Sequence, residues 1–440
     1  MNILIVDTWG GGLDFALRCQ QVGHSVKWFL PPRKNGYPNK AGDGMVKKVT
    51  SWEPHMKWAD LVFCVDNTKY TYDLTRFIDQ GFPVFGPTWQ AAELELNRKK
   101  GQEAFKAAGI KTMVGQEFDS YRKAIAWVKA NPKRYVSKPN GDADKALSYC
   151  SKNAADLVFM LEKWSKSNTL KESFIIQEFV AGIEMAVGGW FGPHGFGKHV
   201  LENWEFKKLM NDDMGVATGE QGTVLKYTTE SLLAEKVLYP LEDTLHRLNY
   251  TGYVDINCII DKRGNPWPLE FTNRPGWPLF QIQQALHKGD PAEWMIDCIN
   301  GSDTLRVSDQ VAVGVVMSMP DYPYNKVQPR ELEGIPIYGV TESNCKHLHP
   351  SEVMMGNAPY MDSGEVKYQD MWVTSGNYVL TASNTGPTVK EAKCKAYDVL
   401  DQLDMPNSKM WRTDIGHRLE KQLPDLHDMG YALGLEYGSD

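Results

Sequence analysis

Ile3-Leu4-Ile5-Val6 runs directly into Asp7-Thr8-Trp9-Gly10-Gly11-Gly12, and a helical pattern follows with Leu13, Ala16, Leu17 and Val22 on one face. A second apolar run covers residues 25–30. Strand, glycine turn, helix and strand in that order close up as parallel neighbours joined by a helical crossover. The chain must therefore open as a parallel α/β layer. Apolar strands at 59–65 and 83–86, with a helix over 72–79 between them, continue that layer.

At 440 residues the chain is too long for one core. The patterning predicts three parts: an N-terminal parallel α/β domain over 1–87, a central unit over 88–305, and a small β-rich C-terminal domain over 306–440. Helices are predicted at 90–108 (closed by Gly109), 120–130, 154–165, 231–248 and 389–403, and strands at 134–138, 174–180 and 184–190. After residue 310, short strands are predicted at 311–317, 335–338, 372–375 and 378–382.

The net charge of −7 argues against general nucleic-acid or membrane-surface binding, since both need basic patches. Seven scattered cysteines without a CxxC pair point to reduced thiols and a cytoplasmic setting. No apolar stretch is long enough to span a membrane.

Residues 251–272 read as a hairpin turning at Asp261-Lys262-Arg263-Gly264. A turn centred on Lys262-Arg263 sets Asp255 opposite Glu270, with Asp255, Asn257, Glu270 and Thr272 on one face and Val254, Ile256, Leu269 and Phe271 on the other. Opposed carboxylates about 4.5–5.5 Å apart repel, so a cation between them, such as magnesium, is one reading. A solvated acidic face is the other, and on the hairpin alone the two are equal.

Gln177-Glu178-Phe179-Val180-Ala181-Gly182-Ile183-Glu184 joins two predicted strands, and here the chain resembles the ATP-grasp superfamily. The resemblance implies an adenine site at Gln177, Glu178 and Val180, and a ribose contact at Glu184. It implies phosphate-directed cations at Lys138 and Arg98, and a mobile nucleotide-covering part over 112–182. The loop after Lys138, Gly141-Asp142-Ala143-Asp144-Lys145, is poorer in glycine than that pattern. Leu269-Glu270-Phe271-Thr272-Asn273-Arg274 is similar to the superfamily's metal strand. That implies metal ligation by Glu270 with Asp255, and with either Thr272 or Asn273, and a catalytic Arg274.

Phe85-Gly86-Pro87-Thr88, Gly109-Ile110-Lys111-Thr112, Phe206-Lys207-Lys208-Leu209, Thr218-Gly219-Glu220-Gln221-Gly222 and the 412–418 segment Arg-Thr-Asp-Ile-Gly-His-Arg resemble, in order and spacing, the phosphoribosylamine–glycine ligase family. The implied reaction is ATP-dependent: an amino-acid carboxylate, glycine in that family, becomes an acyl phosphate and is joined to an amine. ATP with Mg2+ or Mn2+, and small-molecule amino acid and amine substrates, follow from it. Gly11, Gly12, Lys207, Thr218, Gly219 and Arg274 are the implied substrate contacts. The chain departs from the family at Gly10 to Phe15, Cys64 to Lys69, Glu220, and Arg274 to Pro278. These departures keep a different amine acceptor as an alternative, and the threonine at 272 together with the glycine-poor loop keeps a non-catalytic nucleotide-binding role as another. Cys345, His347 and His349 alternate, but without a fourth ligand they read as a half-exposed strand. Trp204, Trp267 and Trp277 flank the proposed site in sequence, and Arg33-Lys34 and Lys47-Lys48 bracket a loop expected to be mobile.

Overall fold

A computed structural model describes residues 1–139, 148–167, 173–406 and 409–439. The first sheet is parallel, in the order β3-β2-β1-β4-β5, with β1 Asn2–Val6, β2 Ser25–Phe29, β3 Lys48–Val49, β4 Leu61–Cys64 and β5 Val84–Phe85. Both faces of β1 are buried. Ile3 and Ile5 join one core and Leu4 and Val6 another, which is why the run is apolar without alternation.

A four-stranded sheet, order β6-β9-β7-β8, follows: β6 Gly115–Phe118, β7 Tyr135–Pro139, β8 Tyr149–Cys150 and β9 Phe174–Glu178. Its small core centres on Phe118, Tyr135, Trp164 and Phe174. Residues 179–181 lead from it into an eight-stranded antiparallel sheet, order β16-β15-β10-β11-β14-β19-β23-β20. These strands are β10 Gly182–Gly192, β11 Gly195–Glu205, β14 Gly222–Thr228, β15 Gly252–Asp261, β16 Pro266–Thr272, β19 Val311–Ser318, β20 Leu348–Pro350 and β23 Tyr378–Gly386. Three small pairs complete the set: β12 Lys208–Met210 with β13 Met214–Ala217, β17 His287–Lys288 with β18 Arg306–Val307, and β21 Val353–Asp362 with β22 Glu365–Thr374.

The large sheet spans the middle of the molecule. One face carries Met185, Val187, Val254, Ile256, Phe271 and Val313 into the largest core. Part of the other packs toward the first sheet through Trp190, which meets Phe85, Phe280, Trp294 and its strand neighbour Tyr253.

Several expectations are corrected here. The C-terminal segment is β-rich but is not a separate layer: β19 pairs with β14, β23 and β20 extend the same large sheet, and β21 and β22 pair with each other apart from it. The helix expected at 90–108 is two helices, Trp89–Leu96 and Arg98–Ala107, because Asn97 is extended and its side chain caps the second by accepting from the Lys100 N–H. The helix expected at 231–248 forms but is not regular: it is π-helical over Ala234–Leu238 and 3-10 over Tyr239–Leu241, where Pro240 has no N–H to donate, before the α-helix Glu242–Arg247. No separate strand forms at 335–338, and the strand Val353–Asp362 was hidden by its own glycine and proline. The segment at 412–418 clamps the β12–β13 hairpin: buried Arg412 bonds Asp213, Asp414 and the Lys208 carbonyl.

Cys345 and His347 lie in a short 3-10 turn, and His349 is fully buried, so the three do not share an open strand face. His349 Nδ1 lies 2.9 Å from Asp14 and Nε2 2.6 Å from Ser383 Oγ, with Arg18 closing the group on Asp14 at 3.0 Å. This polar cluster staples the first helix (Leu13–Gln21) to the large sheet. Burial holds His349 below the ordinary histidine value of 6.5. Burial alone would raise Asp14, but Arg18 and then the imidazole hold it below the usual carboxylate range. Both groups therefore bind more protons when unfolded, and stability is lost as pH falls below 6.5 and then through the carboxylate range. His349→Leu leaves Asp14 and Ser383 short of a partner and is expected to cost about 1–3 kcal/mol. It should also flatten the fall in melting temperature on acidification. An unchanged melting temperature and pH dependence would contradict the role.

Candidate active site

Pleat and register assemble the site. Across the large sheet, Gly188 pairs with Asp255, Ala186 with both Asn257 and Asn203, and Glu205 with Thr223. Paired residues point the same way, so Glu184, Asn203, Glu205, Asp255, Asn257, Glu270 and Thr272 share one face. The hairpin is shifted by one pair from the expected register: Thr272, not Glu270, faces Asp255, and Glu270 faces Asn257. A bulge at Leu269 together with a longer turn accounts for the shift, and because it is an even step the acids keep their face.

Three cations meet these acids. Lys207 Nζ stands 2.9 Å from Glu184, 3.0 Å from Glu205 and 3.9 Å from Glu270. Arg98 reaches Glu270 at 3.5 Å, and its buried Nε and Nη1 donors have no partner among the described residues. Lys138, near the end of β7, feels Glu270, Arg98, Lys207 and Glu184, and desolvation lowers its pKa to about 8. Burial would raise Glu184, but Lys207 holds it below the usual carboxylate range. Lys207 itself is held well above the ordinary lysine value, since Glu184, Glu205 and Glu270 outweigh its desolvation. Orphaned Arg98 donors beside two lysines need an anion.

The adenine candidates lie where the two sheets join. Gln177 is buried with its Oε1 unpartnered among the described residues, Glu178 pairs with Lys133 at 2.5 Å, and Val180 is half-buried in the connection. The loop 141–145 lies outside the described residues.

Asp255 is buried. Its Oδ2 accepts from Asn203 at 2.7 Å and from the Tyr253 hydroxyl at 2.9 Å, and burial, then Glu205, push its pKa up to about 7. Glycine at 188 makes room for this nest, because a Cβ there would overlap the Tyr253 hydroxyl and lie 2.7 Å from Asp255. Among the described residues no three His, Cys, Asp or Glu side chains are grouped to hold a metal. The oxygen set nevertheless fits a hard cation: Asn257 Oδ1 is buried and unpartnered directly opposite Glu270, with Thr272 beside them on the strand face. Asn257 was on the predicted face but was not singled out. Asn273 is corrected: it follows the last residue of β16, its amide is spent on Ala91 and Asn67, and its N–H on Glu95, so it turns away from the acids.

Glu95 organises the strand's exit. It accepts from Asn67, from the Asn273 N–H and from Arg274 at 3.1 Å. Arg274 is thereby held with its pKa raised, chiefly by Glu95. In the sequence Glu95 showed only as the end of Ala91-Ala92-Glu93-Leu94-Glu95, a segment that resembles the phosphoribosylamine–glycine ligase family but carried no assigned role.

The predicted substrate contacts fare differently. The turn at Gly11 and Gly12 folds round its own acid: the Trp9, Gly10 and Gly12 N–H groups donate to Asp7 at 2.8–2.9 Å, as does Trp28 Nε1 at 3.2 Å. A Cβ at residue 12 would come within 2.9 Å of Ile5 and 3.0 Å of Asp7. Glycine there serves the turn, and an incoming anion would meet Asp7. The Thr218 hydroxyl is committed to the Lys207 carbonyl and to Gln221, while Gly219 is exposed. Trp204 is buried in the core and Trp267 bonds Asp261, so of the three tryptophans only Trp277 borders Gly11. The 33–48 loop is tied down by Arg33 to Glu352 and Lys40 to Glu333.

Residues 312–418 match the family model described as phosphoribosylglycinamide synthetase, C domain. The phosphoribosylamine–glycine ligase of Salmonella typhimurium is 25% identical over 354 residues, covering 77% of this chain and 78% of its own. That of Haemophilus influenzae is 24% identical over 458 residues, covering 96% of this chain and all of its own. The crystal structure of phosphoribosylamine–glycine ligase from Thermotoga maritima shares the fold, with TM-score 0.72 at 19% identity over 94% of this chain and 100% of that one. The chain is an ATP-grasp protein resembling phosphoribosylamine–glycine ligase. The ATP-grasp assignment gives the cation cluster a ready anion, the nucleotide phosphates. Lys138→Ala is expected to weaken ADP binding roughly tenfold or more, as for loss of one charge-assisted bond. ADP affinity of the unaltered protein should fall as pH rises through about 8, where Lys138 loses its proton. Calorimetry showing a flat profile and an unaffected variant would remove Lys138 from the phosphate site.

Proposed function

We propose that the chain is an ATP-dependent ligase that joins an amino-acid carboxylate, glycine first, to an amine through an acyl phosphate. The observation that carries this reading is the convergence of Arg98, Lys138 and Lys207 on Glu184, Glu205 and Glu270 where the two sheets join. The Salmonella typhimurium and Haemophilus influenzae relatives carry the name of a ligase of this kind. Gln177, Glu178 and Val180 line the adenine, Glu184 meets the ribose, and Arg98 and Lys138 hold phosphates. A divalent cation, magnesium or manganese, would be held by Glu270 with Asn257 and Thr272, backed by Asp255, and would screen charge between phosphate oxygens. Arg274, fixed by Glu95, stabilises charge on the transferring phosphoryl group. Transfer to the carboxylate leaves ADP, and attack of the amine on the acyl carbon expels phosphate and forms the amide.

ADP formation should require an amino acid, with glycine the best of a panel. Glu270→Gln should lower it by about a hundredfold or more, while ADP still binds. Amino-acid-independent ATP hydrolysis, or no hydrolysis at all, would count against the reading.

Phosphoribosylamine is the first acceptor to test, as the relatives' names indicate. A second reading, another amine, is favoured by one observation: Asp7 fills the glycine turn. Mass spectrometry of the amides formed from an amine panel separates the two. Exclusive turnover of phosphoribosylamine eliminates the second.

A further inference from the structure

Glu220 stands out among the buried groups that the proposed chemistry leaves idle. It is 5% exposed, and its Oε1 has no hydrogen-bond partner among the described residues. Burial, then Glu205, hold its carboxyl well above the usual carboxylate range, so the ionised form is costly there unless a ligand brings a donor or a positive charge to it. Its charged surroundings are Glu205 and Asp255, of like sign, and Lys207 and Arg274, of opposite sign. Both cations are already engaged, Lys207 by Glu184 and Glu205, and Arg274 by Glu95.

The wall beside Glu220 is aromatic. The next residue, Gln221, donates to the Tyr322 hydroxyl at 3.4 Å. The Tyr322 ring lies 5.6 Å from Tyr378, and Tyr378 lies 4.7 Å from Trp277, the residue that borders the glycine turn. All three rings are half-buried. A carboxylate without a donor next to tilted aromatic faces suits an organic cation, since ring faces and carboxylate both attract positive charge. The row of three rings is wider than glycine needs, which assigns the site to the larger substrate.

We propose that Glu220 seats the cationic nitrogen of the acceptor amine, in a pocket walled by Trp277, Tyr322 and Tyr378. This rests on the ligase reading above, and makes Glu220 a specificity-determining residue for its second substrate.

The test uses hydroxylamine, which is largely uncharged at neutral pH and needs no counter-charge. It traps the acyl phosphate formed from ATP and glycine as a hydroxamate. Benzylamine, a cation with one ring, is added as a competitor and benzyl alcohol as its neutral control. Benzylamine should inhibit hydroxamate formation competitively against hydroxylamine but not against glycine, and benzyl alcohol should not inhibit. In Glu220→Gln, hydroxamate formation without competitor should stay within about threefold, while the benzylamine inhibition constant rises at least tenfold. Glu220→Asp should fall between. ADP binding checks that each variant folds, and the competition pattern of the unaltered protein decides on its own if one does not. Competition against glycine, or none, overturns the assignment. So does equal inhibition of the Gln variant. No hydroxamate from the unaltered protein at all would instead mark failure of the ligase reading.

Discussion

One slip of a residue between β15 and β16 would turn Glu270 into the core and Phe271 into the cleft. The site depends on that not happening. Phe271 stacks on Phe105 with ring centres 4.3 Å apart and planes 8° apart, and it is almost wholly buried. Burying such a ring contributes about 1.5–3 kcal/mol, and the slipped register would forfeit it while burying a carboxylate. Val254 and Ile256 on β15 and Val187 on β10 apply the same restraint to their own strands. Apolar alternation on one face thus fixes the polar alternation on the other. The acids are held on one face by residues that never touch a substrate.

That restraint brings like charges together, and Lys207 is what makes the result tolerable. Its ammonium lies within 4 Å of three carboxylates from three strands, Glu184 on β10, Glu205 on β11 and Glu270 on β16. A half-exposed cation in that place balances part of the acid charge in the absence of ligand and is free to adjust when phosphates arrive. The sequence showed Lys207 only as part of a family segment. Its role as the common counter-charge arises from strand order, β16-β15-β10-β11, which brings residues 184, 205 and 270 to one place.

The parallel opening, the hairpin and its two faces were legible because each follows from local alternation or turn chemistry. What stayed hidden required tertiary knowledge. The hairpin register was off by one pair because neither the Leu269 bulge nor the longer turn at Asp261 to Asn265 leaves a mark in the apolar pattern. The C-terminal strands read as a separate layer because nothing in residues 311–318 says that their partner is 222–226. Asn273 and Thr272 could not be separated by type. Position did so, since the alternation that points Thr272 to the cleft points Asn273 at Ala91. Asp7 looked like the end of a strand, and only the fold shows three N–H groups closing round it.

The two ends of the cleft differ in what they lack. Where Arg98, Lys138 and Lys207 gather, the unpartnered buried atoms include the donors Arg98 Nε and Nη1 as well as the acceptors Gln177 Oε1 and Asn257 Oδ1. Toward the glycine turn they are acceptors: Asn203 Oδ1, Glu220 Oε1 and Asn67 Oδ1. Asp7 and Asp66 add further acid there, and Asp66 takes the Thr8 N–H as Asp7 takes those of residues 9, 10 and 12. One end is built to receive an anion and the other to receive donors. Arg274 sits between them, exiting the strand that carries Glu270 and held by Glu95 on the neighbouring helix. A carboxylate activated at the first end and an amine waiting at the second would meet at that arginine. On the proposed ligase reading, the polarity of the cleft would order the two substrates before either touches the other.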